Sequence, residues 1–162
     1  MNLEFRLNGK LQQLSTAPER RLMEILRKDF GLTGLRPGCN QGQCGSCLVL
    51  YNDSVATSCL IPAFRAEAAE IVTIEGFLET DDFTDVEQAF ERAGLEPCRF
   101  CASAKVLVTH ALLHRNSTPS EQEVIQAASG VICRCTSMSR FIDGIHLAAD
   151  IRRRRTEGSE ES

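Results

Sequence analysis

The segment Gly38-Cys39-Asn40-Gln41-Gly42-Gln43-Cys44-Gly45-Ser46-Cys47 places three cysteines and three glycines within ten residues. Its glycines permit positive φ and a close approach of the backbone to a bound group, and successive N–H groups of such a loop can point at one anionic centre. With Cys59 added, the cysteines have the spacing C-x4-C-x2-C-x11-C. The segment therefore predicts a tight loop that brings several thiolates to one centre, with the rest of the fold built around it.

The 162-residue chain has eight cysteines, which divide into two sets of four. The first cysteine set (Cys39, Cys44, Cys47, Cys59) has the spacing of plant-type ferredoxins, in which four thiolates hold a [2Fe–2S] cluster. All-cysteine zinc sites usually consist of two short pairs instead. The second cysteine set (Cys98, Cys101, Cys133, Cys135) fits zinc or an iron–sulfur cluster by spacing alone. Because it occurs beside a ferredoxin-like loop, we favour a second cluster and an electron-transfer protein.

Composition and charge exclude several classes of function. The formal net charge is −4, whereas a nucleic-acid-binding surface needs clustered basic residues. The one basic run, residues 152–155, is interpreted as the solvated end of a helix. The N-terminus does not have the pattern of a signal peptide, and no stretch approaches the roughly 18 apolar residues of a membrane span. We therefore expect a cytoplasmic protein whose thiols serve metal or redox chemistry rather than disulfides.

The first half, residues 1–78, has the pattern of an α+β unit of the β-grasp type. Apolar and polar residues alternate over 3–7, and Asn8-Gly9 predicts a hairpin turn into a second strand. A helix is predicted over residues 16–30 from its apolar stripe and its early proline. Further strands are predicted over residues 48–51, 55–58 and 71–74.

The second half, residues 83–155, has the pattern of a four-helix unit. Thr118-Pro119-Ser120-Glu121 predicts a capping box at the start of its third helix. An acidic linker over residues 79–82 is predicted to separate the two halves, and a disordered tail is predicted over residues 156–162. His110 and His114, four residues apart, are interpreted as a surface pair.

Several segments resemble the small iron–sulfur subunit of the xanthine dehydrogenase, or molybdenum hydroxylase, family. Cys39 to Cys47, Ser58-Cys59-Leu60-Ile61-Pro62-Ala63 and Val72-Thr73-Ile74-Glu75-Gly76 resemble its N-terminal half. Cys98-Arg99-Phe100-Cys101 and Cys133-Arg134-Cys135-Thr136 resemble its C-terminal half. The resemblance spans about residues 3–150 and all eight cysteines in order. It implies a β-grasp ferredoxin domain and a four-helix domain, each holding one [2Fe–2S] cluster through its cysteine set.

The resemblance also implies a role and partners. A subunit of this kind passes electrons without binding substrate: the second cluster lies beside the molybdopterin of a large subunit, and the first passes electrons toward FAD on a medium subunit or an external acceptor. Purines, aldehydes, N-heterocycles, CO and aromatic acyl-CoA are all compatible substrates of such a complex. The alternatives are a stand-alone two-cluster ferredoxin-like carrier, an accessory protein derived from such a subunit, and a zinc-stabilised interaction module.

The resemblance is uneven around the second cysteine set. The family pattern Gln-Cys-Gly-Phe-Cys-Thr-Pro-Gly is here Pro97-Cys98-Arg99-Phe100-Cys101-Ala102-Ser103-Ala104. The resemblance puts Pro97 and Cys135 on the pterin side, but proline has neither the side-chain amide of the family's glutamine nor a backbone N–H. We hypothesise that other residues of a divergent large subunit hold the pterin, or that the cofactor is placed differently. Arg99 would raise the potential of the second cluster if its head group stays close, and would not if it faces solvent.

Overall fold

A five-stranded mixed sheet forms the first half of the computed structural model, which describes residues 1–160. The strand order is β2-β1-β5-β3-β4, in which β1 and β5 are parallel and all other neighbours are antiparallel. The strands are β1 Asn2–Leu7, β2 Lys10–Ser15, β3 Leu48–Tyr51, β4 Ser54–Thr57 and β5 Glu70–Val72. One helix, α1 Leu22–Lys28, packs on one face of this sheet, as the α+β prediction requires.

The alternation of β1 gives the sheet one buried face, with Leu3, Phe5 and Leu7 in the core. The hairpin turn is where it was predicted, and Asn8 and Gly9 both have positive φ. The first helix begins at Leu22 rather than at Thr16. Because Arg21 is extended and bridges to Pro62, the preceding residues are held outside the helix by a long-range contact.

Five helices follow the sheet: α2 Ile74–Phe77, α3 Asp81–Arg92, α4 Ala102–Arg115, α5 Glu121–Ala128 and α6 Met138–Glu160. The last four form the predicted four-helix unit. Strand β5 is shorter than predicted because Ile74 begins α2. The capping box uses Ser120 and Glu123, so Thr118 and Pro119 precede the helix instead of starting it. No helix within residues 1–160 is long and apolar enough to cross a membrane.

The predicted acidic linker is partly helix. Asp81 and Asp82 form the first turn of α3, whose N-cap Thr80 accepts a hydrogen bond from the backbone N–H of Phe83. Asp82 lies 3.2 Å from Nδ1 of His110, so this histidine belongs to a charged cluster and is half-buried rather than a surface residue. The pKa of Asp82 is lowered to about 2, chiefly by the hydrogen bond from His110.

The arginine run of α6 is not a solvated helix end. Arg152 is buried and lies 3.4 Å from Asp82, and Arg155 lies 2.8 Å from the buried Asp85. These ion pairs tie α6 to α3, and the helix continues through residues 156–160, where a disordered tail was predicted. Residues 161–162 of the predicted tail lie outside the described residues.

Strand β3 contributes to two hydrophobic cores. Val49 packs with Phe5 and Ile25 in the core under α1. Its neighbours Leu48 and Leu50 point to the opposite face of the sheet and pack in the core of the helical half. The two halves therefore meet across the sheet and hold the cysteine-bearing loops next to each other.

Candidate metal centres

The loop of the first cysteine set surrounds one sulfur with backbone donors. The N–H groups of Gln41, Gln43 and Cys44 donate to Sγ of Cys39 at 3.3, 3.2 and 3.4 Å. Positive φ at Gly42 and elsewhere in the loop turns these N–H groups inward. The donors, with that of Gln41 the strongest, lower the pKa of Cys39 to about 6. The loop is thus built to stabilise a thiolate.

The other members of the first cysteine set complete two pairs of thiols. Cys39 is adjacent to Cys44, and Cys47 is adjacent to Cys59, which lies in the short 3-10 turn after β4. Cys47 and Cys59 are both buried, and burial together with the neighbouring thiol raises the pKa of Cys47 to about 11. The hydroxyl of Ser58 donates to the Cys47 carbonyl at 2.7 Å and holds the turn in place.

The second cysteine set forms a continuous chain of sulfur contacts. Sγ of Cys101 lies 3.1 Å from Sγ of Cys133 and 3.7 Å from Sγ of Cys98, which in turn contacts the thiol of Cys135. Cys98 and Cys101 lie in the turn that leads into α4, and Cys133 and Cys135 lie between α5 and α6. All four thiols that spacing had grouped are thus together in space.

Electrostatics within the second cysteine set favour a bound cation. Burial and the neighbouring thiols raise the pKa of Cys101 to about 12. Burial also acts to raise the pKa of Cys133, but the hydroxyl of Thr136 and the thiol of Cys101 outweigh it and lower that pKa to about 6. Crowded thiols cannot all ionise without a compensating positive charge. A bound metal ion supplies that charge, and its thiol ligands are then deprotonated.

The first cysteine set suits a binuclear core better than a single ion. A [2Fe–2S] core takes its four thiolates at two irons, whereas zinc needs all its ligands about 2.3 Å from one point. The first set is arranged as two pairs, and within residues 1–160 no three His, Cys, Asp or Glu side chains are placed to hold a single ion. The residues present therefore fit the clusters that their spacing predicts.

The loops of the two cysteine sets are in direct contact. The backbone N–H of Ile132 donates to the carbonyl of Cys44 at 3.0 Å, which joins a residue of the first set to the neighbour of Cys133. At Gly45, with φ +74°, an added Cβ would lie less than 3.0 Å from the carbonyl oxygen of Gly130. This glycine is therefore needed for the loops to approach each other so closely.

The rim of the second cysteine set is exposed. Cys135, Arg99 and Arg134 face solvent, and Pro97 is half-buried. Large apolar side chains surround them, of which Ile132 is 61% exposed. The exposure of Arg99 agrees with the solvent-facing alternative.

Three polar residues near the cysteines were given no role at the centres from the sequence: Ser58, Lys105 and Thr136. Ser58 precedes Cys59 and Thr136 follows Cys135, so position in the chain indicates that both could contact a centre. Lys105 lies four residues after Cys101, on the same face of α4, and its burial is visible only in the structure.

Comparison with known proteins identifies the kind of centre. Residues 5–70 match a family described as "2Fe-2S iron-sulfur cluster binding domain", and residues 73–146 match one described as "[2Fe-2S] binding domain". The chain is 35% identical over 150 residues to the nicotinate dehydrogenase small FeS subunit of Eubacterium barkeri, covering 93% of this chain and 96% of that protein. It is 33% identical over 147 residues to the xanthine dehydrogenase iron-sulfur-binding subunit of Escherichia coli O157:H7, covering 90% and 92%.

Solved structures agree with these similarities. A chain of quinoline 2-oxidoreductase from Pseudomonas putida 86 superposes with a TM-score of 0.84 at 35% identity, covering 94% of this chain and 96% of that one. The aldehyde oxidoreductase of Desulfovibrio gigas superposes equally well at 30% identity, but this chain spans only 17% of it. The same unit therefore occurs both as a separate chain and as part of a longer one.

Proposed function

The chain belongs to the small iron–sulfur subunits of the xanthine dehydrogenase, or molybdenum hydroxylase, family, and on that premise we propose which residues carry its function. It is a non-catalytic electron-transfer subunit of an oxidoreductase and has two [2Fe–2S] clusters. We assign one cluster to the first cysteine set, in a domain spanning residues 1–78, and the other to the second set, in a domain spanning residues 83–155. When bound, the clusters supply one-electron redox chemistry.

The contact between the two cysteine sets is the observation that carries this proposal. The Ile132 N–H donates to the Cys44 carbonyl, so the loops around the two centres share a short hydrogen-bonded connection. Around it, buried residues exclude water from Cys47, Cys59 and Cys101. The chain thus holds two redox centres at a fixed separation.

The exposed rim of the second cysteine set supports the proposed partner. Apolar side chains that remain in water, including Phe100, Ile132 and Met138, are typical of a surface that a partner covers. We assign this rim to a large molybdopterin-binding subunit, with Pro97 and Cys135 toward the pterin. Electrons would then pass from the second centre to the first, and on to an FAD-binding medium subunit or an external carrier in the cytoplasm. The rim favours this assembly over a stand-alone carrier.

The test is anaerobic purification of the chain from cells that express it with its natural neighbours. We expect about four irons and four acid-labile sulfides per chain and two distinct paramagnetic signals on reduction. Cys39→Ala should abolish only the first-centre signal, and Cys135→Ala only the second. A colourless protein containing zinc would refute the cluster assignment. Intact clusters without a co-purifying molybdopterin subunit would refute the proposed partner alone.

A further inference from the structure

A lysine is buried beside the second cysteine set. Lys105 is only 2% exposed, although it lies on α4 between apolar residues. Its Nζ donates to Oγ1 of Thr136 at 2.7 Å and lies 4.2 Å from the centre of the Phe141 ring. Burying an ammonium group is costly unless another charge compensates it.

Carboxylates do not provide that compensation. Within the described part of the chain, no aspartate or glutamate oxygen lies within 4.0 Å of the Lys105 ammonium. The hydroxyl of Thr136 and the ring of Phe141 offer partial negative charge only. The residue therefore carries a buried positive charge without an acidic partner among residues 1–160.

The second cysteine set is an anionic group close to the Lys105 ammonium. Oγ1 of Thr136, which accepts from Lys105, lies 3.3 Å from Sγ of Cys133. The two contacts join end to end, so the ammonium is within about 6 Å of this sulfur, a range at which charges interact strongly out of water. A four-thiolate [2Fe–2S] centre is negative when oxidised and gains one more negative charge on reduction.

We propose that Lys105 is the internal counter-charge of the second cluster and raises its reduction potential relative to the first. The inference rests on the proposed function, because it requires a [2Fe–2S] cluster at the second cysteine set. Reduction brings one electron from the donor to this centre, and no bond forms or breaks. The ammonium stabilises the added charge through space and through the Thr136 hydroxyl.

The test is an EPR-monitored redox titration of the purified complex, with dithionite as reductant. Lys105→Met removes the charge but keeps an unbranched side chain. It should shift the reduction equilibrium of the second centre at least tenfold toward the oxidised form, which is about 59 mV for a one-electron couple. The first centre, in the same sample, should not move. Lys28→Met, the same change on an exposed side chain of α1, controls for net charge and should move neither centre.

Two further variants keep the inference testable if Lys105→Met does not fold. Lys105→Arg keeps the charge and should keep the potential of the second centre near that of the wild type. Thr136→Val removes the bridging hydroxyl and should give a smaller shift in the same direction as Lys105→Met.

An unchanged second-centre potential in Lys105→Met would overturn the inference. It would mean that water in the cavity of about 240 Å³ beside Cys133 and Met138 screens the ammonium from the centre. Equal shifts at both centres would also overturn it. Neither result would affect the proposed function, which the iron and sulfide content of the wild-type protein tests separately.

Discussion

Gly45→Ala should separate the two cysteine loops, and its effect can be estimated from the structure. Gly45 has φ +74°, a conformation that costs an alanine roughly 1 kcal/mol. The new Cβ would also lie less than 3.0 Å from the Gly130 carbonyl oxygen and 3.2 Å from Cα of Val131. Both contacts are with backbone, so the segment before Cys133 must move as a whole.

That movement would break the hydrogen bond from the Ile132 N–H to the Cys44 carbonyl, which is worth about 1 kcal/mol. Adding a similar amount for lost packing, we expect Gly45→Ala to destabilise the protein by about 3 kcal/mol. For a chain of this size each kcal/mol lowers the midpoint of thermal unfolding by about 2–4 °C, so a fall of about 6–12 °C is expected.

Gly9→Ala is the matched control. Gly9 has nearly the same φ, +78°, but an added Cβ there meets nothing within 4 Å. Gly9→Ala should therefore destabilise the protein only by the cost of positive φ for an alanine, about 1 kcal/mol. The assay is thermal unfolding of the reduced protein under anaerobic conditions, followed by loss of cluster absorbance, together with the magnetic interaction between the two centres. If Gly45→Ala were no less stable than Gly9→Ala and left that interaction unchanged, the reasoning about the loop contact would be wrong.

Three other predictions concern the ion pairs between α3 and α6 and the cysteines themselves. Asp85→Asn should lower stability by about 2 kcal/mol, because two arginines of α6 lose a buried partner while Asp82 still pairs with them; thermal unfolding with both EPR signals intact would show it. Ser58→Ala should cost about 1 kcal/mol and release the first cluster faster, since a buried hydroxyl bonded to Cys47 is lost; bleaching at fixed temperature measures this. After chelation of the iron, Cys39, with its pKa near 6, should be alkylated at pH 7 well before Cys101, with its pKa near 12. Equal alkylation rates would show that the loop does not keep its donors on Cys39 without the cluster.

Local patterns were sufficient where a structure depends on local chemistry. The alternation of β1, the turn at Asn8-Gly9 and the grouping of the cysteines all appear in the structure as predicted. Each is determined by neighbouring residues or by the geometry that a metal centre demands of its ligands. The four helices of the second half followed from apolar periodicity for the same reason.

Features that depend on distant partners were missed. The start of α1 is set by the contact of Arg21 with Pro62, and a proline and a glutamate before it resemble a first helical turn. The order of the last helix depends on Arg155 pairing with Asp85, seventy residues away. Lys105 looks like a solvent-facing residue in the sequence, because burial of a lone lysine depends on a charge that only the folded centre brings near it.

Strand β3 makes the two halves of this chain one folding unit. Its successive side chains serve opposite cores, so a fragment that ends near residue 78 would leave Leu48 and Leu50 in water. A chimera that joins the ferredoxin half of one relative to the helical half of another would have to preserve the packing of β3 against the helices as well as the cysteine ligands. Exchange of redox modules within the family is therefore constrained by side-chain volume on one short strand, and engineers who aim to retune a single centre should alter residues around it and keep the strand intact.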